Sequence, residues 1–164
     1  MDNMRLGDNI AKNAALRENV FMMAICIELR IPLFLVGKPG SSKSLAKAVI
    51  HASLRGKSSH TDLLKGFKEV DMFSYQCSQL STPESVIEVF NTASRFQSKQ
   101  DTKSYVAVVV LDEVGLAEDS PNLPLKALHP LLEDGTEGAG AEGKNDVVKE
   151  RKKNTLPIQN YTRM

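Results

Sequence analysis

Apolar positions along this 164-residue chain change their spacing in a definite order, and that order predicts helices alternating with strands. From about residue 9 to residue 29 the spacing is helical. Leu16, Val20, Met23, Ala24 and Ile27 fall on one stripe, and Pro32 bars continuation. Residues 33–36 (LFLV) then form a short apolar run, predicted as a first strand. From Lys43 to about Leu54, the spacing of Leu45, Ala46, Val49 and Ile50 predicts a helix packed on a sheet. Residues 55–68 are rich in Lys, Ser, Gly and His and read as a long surface connection, with no catalytic role assigned to His60. Phe73, Tyr75 and Cys77 alternate with Ser74, Gln76 and Ser78, the period of a half-exposed edge strand.

The sequence Ser81-Thr82-Pro83-Glu84 supplies a helix start, either as a Ser81/Glu84 capping box or with Pro83 at the first helical position. Val86, Phe90 and Ala93 continue its apolar face. Residues 105–113 (YVAVVVLDE) are a β-branched run of the kind that suits a strand covered on both faces, as in a parallel sheet. After Glu113, residues 115–122 read as a loop. Leu125, Leu128, Leu131 and Leu132 then mark a short helix that Gly135 can stop, with His129, before Pro130, as a turn or surface residue. Residues 137–154 (EGAGAEGKNDVVKERKKN) are glycine-rich and then charged, and are expected to be disordered. There is no internal repeat.

Composition excludes several classes. An apolar share of 41% supports one ordinary core, and a formal net charge of +1 gives no global field for nucleic acid or a membrane surface. Acidic residues from Asp112 to Glu142 and the basic set Lys144, Lys149, Arg151, Lys152 and Lys153 read as solvated surface or tail. Cys26 and Cys77 are far apart and form no metal-ligand set with His51, His60 or His129. They read as reduced core thiols of an intracellular, cytoplasmic chain. The most apolar N-terminal stretch is broken by Glu28, Arg30 and Pro32, so neither a signal peptide nor a membrane span is expected.

The chemistry concentrates where the first predicted strand meets the second helix. Strand, glycine turn and helix in succession aim backbone N–H groups and the positive end of a helix dipole at one point, which suits a phosphate. Gly37 and Gly40 remove side chains where the chain bends, the Lys43 ammonium can reach terminal phosphates, and the Ser44 hydroxyl can ligate Mg²⁺. Against the pattern G-x-x-x-x-G-K-[ST], Ser42 stands in place of the second glycine. A positive φ there would cost on the order of 1 kcal/mol. The bland alternative is a Gly/Ser-rich turn with a helix cap. Asp112 and Glu113 end the valine-rich run where parallel sheets bind ligands, so Asp112 can hold Mg²⁺ through water and Glu113 can take a proton from an attacking water. Alone these acids would read as a solvated strand end. Together with the glycine turn they point to ATP hydrolysis more than to a kinase, and no Asn-Lys-x-Asp guanine-reading motif is present.

The strings VGKPGSSKSLAK at 36–47 and VVVLDEVGLAEDSPNLPLKALHPLLEDG at 108–135 resemble an AAA module of the mysterin-like RING-type E3 ubiquitin ligases, over roughly residues 11–135. That resemblance implies an α/β fold, the three-layer parallel sheet of the AAA+ P-loop NTPases. It implies ATP and Mg²⁺ as cofactors, with Gly37, Lys38, Pro39, Gly40, Ser41, Ser42, Lys43, Ser44 and Leu45 around the nucleotide. Ser44 and Asp112 would hold the metal and Glu113 would activate water. The implied partners are ATP and neighbouring AAA units, with ubiquitin machinery reached only through regions absent from this chain, since two cysteines cannot make a RING.

The implied strand order is 5-1-4-3-2, and no apolar strand after Gly135 can fill place 4; strands 4 and 5, the arginine finger and the helical lid are all missing from the pattern. The expected organisation is an N-terminal helix in residues 1–30, a partial AAA+ core in 31–135 and a disordered or non-native tail in 136–164. A gene fragment, a truncated isoform or a mispredicted terminal exon would each account for it. Hydrolysis is then expected only in the complete module; the alternative is a non-hydrolysing nucleotide-binding or interaction fragment, and a small-molecule P-loop kinase is a third reading.

Overall fold

A computed structural model describes residues 4–7 and 10–133 of the chain. The expectations for residues 136–164 lie outside the described residues.

Helix α1 (Ala14–Leu29) begins where Asn13 caps it, its Oδ1 accepting the Leu16 N–H at 2.7 Å. The helix therefore starts several residues later than the apolar spacing alone suggests. It ends at Arg30, in left-handed backbone at φ 56°, with the Ile31 N–H closing on the Cys26 carbonyl at 2.9 Å. Pro32 lies just beyond, as its missing donor requires. Helix α2 (Lys43–Ser53) buries Ala46, Val49 and Ile50. The connection after α2 differs from the expected loose surface segment. It holds a 3₁₀ turn (Gly56–Ser58) and helix α3 (Asp62–Lys65), because Leu64 is drawn fully into the core.

Strands β1 (Glu69–Gln76) and β2 (Tyr105–Asp112) are linked by helix α4 (Pro83–Lys99), and they pair in parallel from Glu69 opposite Tyr105 to Gln76 opposite Asp112. Strand β1 begins ahead of the alternating stretch and stops before Cys77. Of the two predicted starts for α4, the second is present: Thr82 is the cap, paired with Ser85, and Pro83 opens the first turn. The Ser81/Glu84 box does not form, because the Ser81 hydroxyl instead accepts from the Ser78 N–H at 2.9 Å.

Side-chain alternation builds three layers from these parts. Val70, Met72, Val106 and Val108 join Leu16, Val20 and Ile50 in the core beneath α1 and α2. Phe73, on the opposite face, meets Phe96 of α4 with ring centroids 5.4 Å apart. Burying side chains the size of Leu16 and Ile50 completely is worth about 1.5–3 kcal/mol each, so this cluster holds α1 and α2 on the sheet.

One expectation about the end of the described chain is corrected. The predicted loop at 115–122 contains helix α5 (Val114–Glu118), followed by a 3₁₀ turn (Pro124–Ala127) and helix α6 (Leu128–Glu133). His129 lies inside α6 and is exposed; Pro130 is accommodated in the first turn, where a missing N–H breaks no intrahelical bond.

The predicted first strand at 33–36 is not one. Those residues pair with no strand, and the sheet has two strands among the described residues. In the order 5-1-4-3-2, β1 and β2 correspond to strands 2 and 3, which are neighbours. Strand 1 would be flanked by strands 4 and 5, neither of which is present among the described residues, so its ladder has nothing to bond. The strand-like alternation nevertheless survives in exposure: Leu33 and Leu35 are half-buried, while Phe34 is 69% and Val36 96% exposed.

The vacant side of β2 is partly satisfied from within. Bonds from the Glu69 N–H to the Ser104 carbonyl and from the Cys77 N–H to the Asp112 carbonyl put the even-numbered residues of β2 toward β1. Its odd-numbered residues therefore face the open edge. There the Gln97 side chain accepts from the Ala107 N–H at 2.7 Å and donates to the Tyr105 carbonyl at 3.3 Å. Every residue of β2 is half-buried, less than the full cover its β-branched run suggests.

Candidate functional site

The segment from Gly37 to Ser42 forms a tight loop leading into α2. Gly40 has φ +80°, the left-handed backbone that favours glycine, while a Cβ on Gly37 would stand 2.7 Å from Ser41 Oγ and make that side chain shift. Ser42 carries φ 60° and ψ 20°, the left-handed backbone whose cost its side chain makes real. It is the N-cap of α2, yet it makes no side-chain capping bond. The first-turn N–H groups of an 11-residue helix are thus left without a side-chain cap.

Lys43 folds over this loop. Its Nζ donates to the Gly37 carbonyl at 2.6 Å, the Lys38 carbonyl at 3.1 Å and Ser41 Oγ at 3.1 Å. The ammonium therefore sits over the concave side of the turn, held by three neutral acceptors. Ser44 follows on the helix with an exposed side chain.

Asp112 reaches the same helix from the sheet. As an even-numbered residue of β2 it points to the α2 face, and its Oδ2 meets Lys47 Nζ at 2.5 Å, with side chains 31% and 23% exposed. Lys47 lies one helical turn after Lys43 and three residues after Ser44, so it neighbours both on the surface of α2. Lys43, Ser44 and Asp112 are thereby brought to one side of the molecule. Glu113, the next residue, turns left-handed at φ 56° as the N-cap position of α5, makes no side-chain capping bond and has an exposed side chain. Beside Asp112, burial and then the aspartate charge push the Cys77 thiol up, which keeps it neutral.

Three contributors escaped the sequence reading. Asn19 Nδ2 donates to the Ser41 carbonyl at 2.9 Å, and Asn13 Nδ2 lies 3.4 Å from Ser42 Oγ, so α1 braces the loop. Lys47 was legible in principle, because a lysine four residues past Lys43 must face the same way. The two asparagines had no such signal.

Residues 9–162 match the family model described as the RNF213 AAA domain. The chain belongs to the RNF213 AAA-domain family. Among curated relatives, it is 62% identical over 135 residues to E3 ubiquitin-protein ligase rnf213-beta of Danio rerio, covering 82% of this chain and 3% of that protein. It is 59% identical over 135 residues to E3 ubiquitin-protein ligase RNF213 of Homo sapiens, with the same coverage of 82% and 3%. The Mus musculus RNF213 is 61% identical over 127 residues, covering 77% of this chain and 2% of that protein. The chain thus spans only 2–3% of the length of these RNF213 relatives.

The arrangement in this RNF213 AAA-domain chain fits Mg²⁺ and a triphosphate in kind. Among the described residues no three His, Cys, Asp or Glu gather into a ready-made metal cage. One hydroxyl and one carboxylate suffice where phosphates and water complete the shell. No helix among the described residues is long and apolar enough to cross a membrane.

Proposed function

We propose that this chain is an ATP·Mg²⁺-binding AAA+ ATPase module piece of a mysterin-like E3 ubiquitin ligase, in which hydrolysis needs the complete module. The single observation that carries the reading is the convergence on one face of α2. Lys43 closes the glycine loop from there, and Asp112 is held one turn further along. In this reading the uncapped first turn of α2 and the loop from Gly37 to Leu45, including Lys38, Pro39, Gly40, Ser41 and Ser42, enclose the phosphates. The Lys43 ammonium trades its carbonyl acceptors for phosphate oxygens, a stronger, charge-assisted set. Ser44 and Asp112 hold the magnesium, which supplies charge neutralisation of the phosphates when bound. Glu113 accepts the proton of the attacking water. The coupling of nucleotide state to ubiquitin transfer belongs to other parts of the parent protein, with neighbouring AAA units as partners in a cytoplasmic setting.

A non-hydrolysing nucleotide-binding fragment is the second reading. It is favoured by the two-stranded sheet of the described residues, which holds no strand between 33–36 and β2 to carry a polar sensor.

Calorimetric titration with ATP and Mg²⁺ tests the cradle. Lys43→Ala is expected to weaken binding about 10- to 100-fold, the worth of a hydrogen-bonded charge, and unchanged affinity removes the site. Phosphate release by the complete module, with Glu113→Gln as the control, separates the readings: a wild-type rate equal to that of the variant supports the second.

A further inference from the structure

Among the described residues Lys47 is the one ammonium in contact with the proposed metal-binding carboxylate, and nothing in the nucleotide chemistry above uses it. Its Nζ lies 2.5 Å from Asp112 Oδ2, on the helix face that carries Ser44 one turn earlier. Asp112 is half-buried, and the only ion pair that it makes among the described residues is with Lys47. We propose that Lys47 is a resident counter-cation at the magnesium position, holding Asp112 when nucleotide is absent and yielding it when Mg²⁺ arrives with the triphosphate. This rests on the nucleotide reading above and adds to it a residue that sets how strongly binding depends on magnesium.

The physical reasoning is competition between cations for one oxygen. Without magnesium, Lys47 cancels the Asp112 charge that would otherwise repel a polyphosphate approaching the loop. With magnesium, the ammonium must be displaced, and its partial exposure of 23% gives the flexible stem a path toward solvent. The same lysine therefore helps metal-free nucleotide bind and opposes the metal-bound form. A merely structural pair tying α2 to β2 would affect both forms alike.

The test is the ratio of ATP dissociation constants measured in EDTA and in excess Mg²⁺, on the 164-residue chain. Lys47→Met is expected to raise that ratio about two- to fivefold over wild type, the range a partly exposed ion pair supports, and Lys47→Arg to stay near wild type. A ratio in Lys47→Met equal to that of wild type, with both affinities shifted in parallel, overturns the proposal.

A second measurement needs no variant that folds poorly. The Lys47 ammonium signal in side-chain ¹⁵N NMR of wild type is expected to change on adding ATP with Mg²⁺ and to persist with ATP in EDTA; persistence in both overturns it. Lys43→Ala distinguishes the two levels. If wild type binds and Lys43→Ala does not, an unchanged ratio removes only the role of Lys47. If wild type binds no ATP, both readings fall.

Discussion

Asn19 in the middle of α1 donates from Nδ2 to the carbonyl of Ser41 at 2.9 Å, tying the N-terminal helix to the back of the glycine loop. A carbonyl held from behind fixes the peptide plane, and with it the direction of the next N–H, that of Ser42. The loop is therefore braced by α1 as well as by its own glycines. Replacing Asn19 by alanine removes one neutral hydrogen bond worth about 0.5–1.5 kcal/mol and frees that peptide to rotate. ATP affinity in Asn19→Ala is expected to fall about three- to tenfold, measured by calorimetry, with thermal unfolding showing whether the global fold has changed in step.

Ser42 stands at φ 60° where the common phosphate-loop pattern has glycine. A side chain in left-handed backbone costs about 1–2 kcal/mol, but glycine also loosens the unfolded chain by about 0.4–1 kcal/mol. The second effect offsets part of the first, so Ser42→Gly is expected to be as stable as wild type or up to about 1.6 kcal/mol more stable in urea unfolding. Ser42→Val has no such relief, because a β-branched residue is a true outlier at this φ, and a loss of about 1–3 kcal/mol is expected.

The fold was legible where a pattern depends on neighbours in sequence, and illegible where it depends on neighbours in space. Leu16 and Val20 of α1, and Ala46, Val49 and Ile50 of α2, fell on the buried faces that their spacing predicted. The left-handed cost at Ser42 followed from one mismatch with the phosphate-loop pattern. Residues 33–36 carry the apolar run of a strand, but a strand exists only through its ladder, and both flanking positions are unfilled among the described residues. Leu64 was hidden in a polar stretch whose composition masked one core residue. In the site, Lys43, Ser44 and Asp112 were singled out because each is the type its proposed chemistry requires. Asn13 and Asn19 act through amides that bond to loop atoms 29 and 22 residues away, a relation no local pattern encodes.

The turn before β2 gives a pH prediction. The Asp101 carboxylate accepts the Lys103 N–H at 3.0 Å and the Ser104 hydroxyl at 2.8 Å. First the backbone bond from Lys103 and then the Ser104 bond hold its carboxyl below the usual range, with burial opposing only weakly. A folded pKa below the unfolded value of about 3.9 means stabilisation that is present above that pH and lost as pH falls through the folded value. Carboxyl NMR titration is expected to place the Asp101 midpoint below that of an ordinary aspartate. The gap in urea midpoint between wild type and Asp101→Asn should close as the pH is lowered through it.

Gln97 offers a test of how an interrupted sheet is kept folded. Its amide performs on the open edge of β2 the work of a neighbouring strand, one acceptor for Ala107 N–H and one donor for the Tyr105 carbonyl. Two neutral bonds of about 0.5–1.5 kcal/mol each, on a half-buried strand, set the scale for Gln97→Ala at a loss of about 1–3 kcal/mol in urea unfolding. Gln97→Glu probes the same edge by polarity. An ionised carboxylate still accepts from Ala107 but turns an oxygen toward the Tyr105 carbonyl, whereas the protonated acid can donate there. The Glu variant is therefore expected to lose stability relative to wild type as pH rises through its carboxyl pKa, and to regain it in acid. A pH-independent difference between the two proteins would show that the amide does not bridge both backbone groups at once.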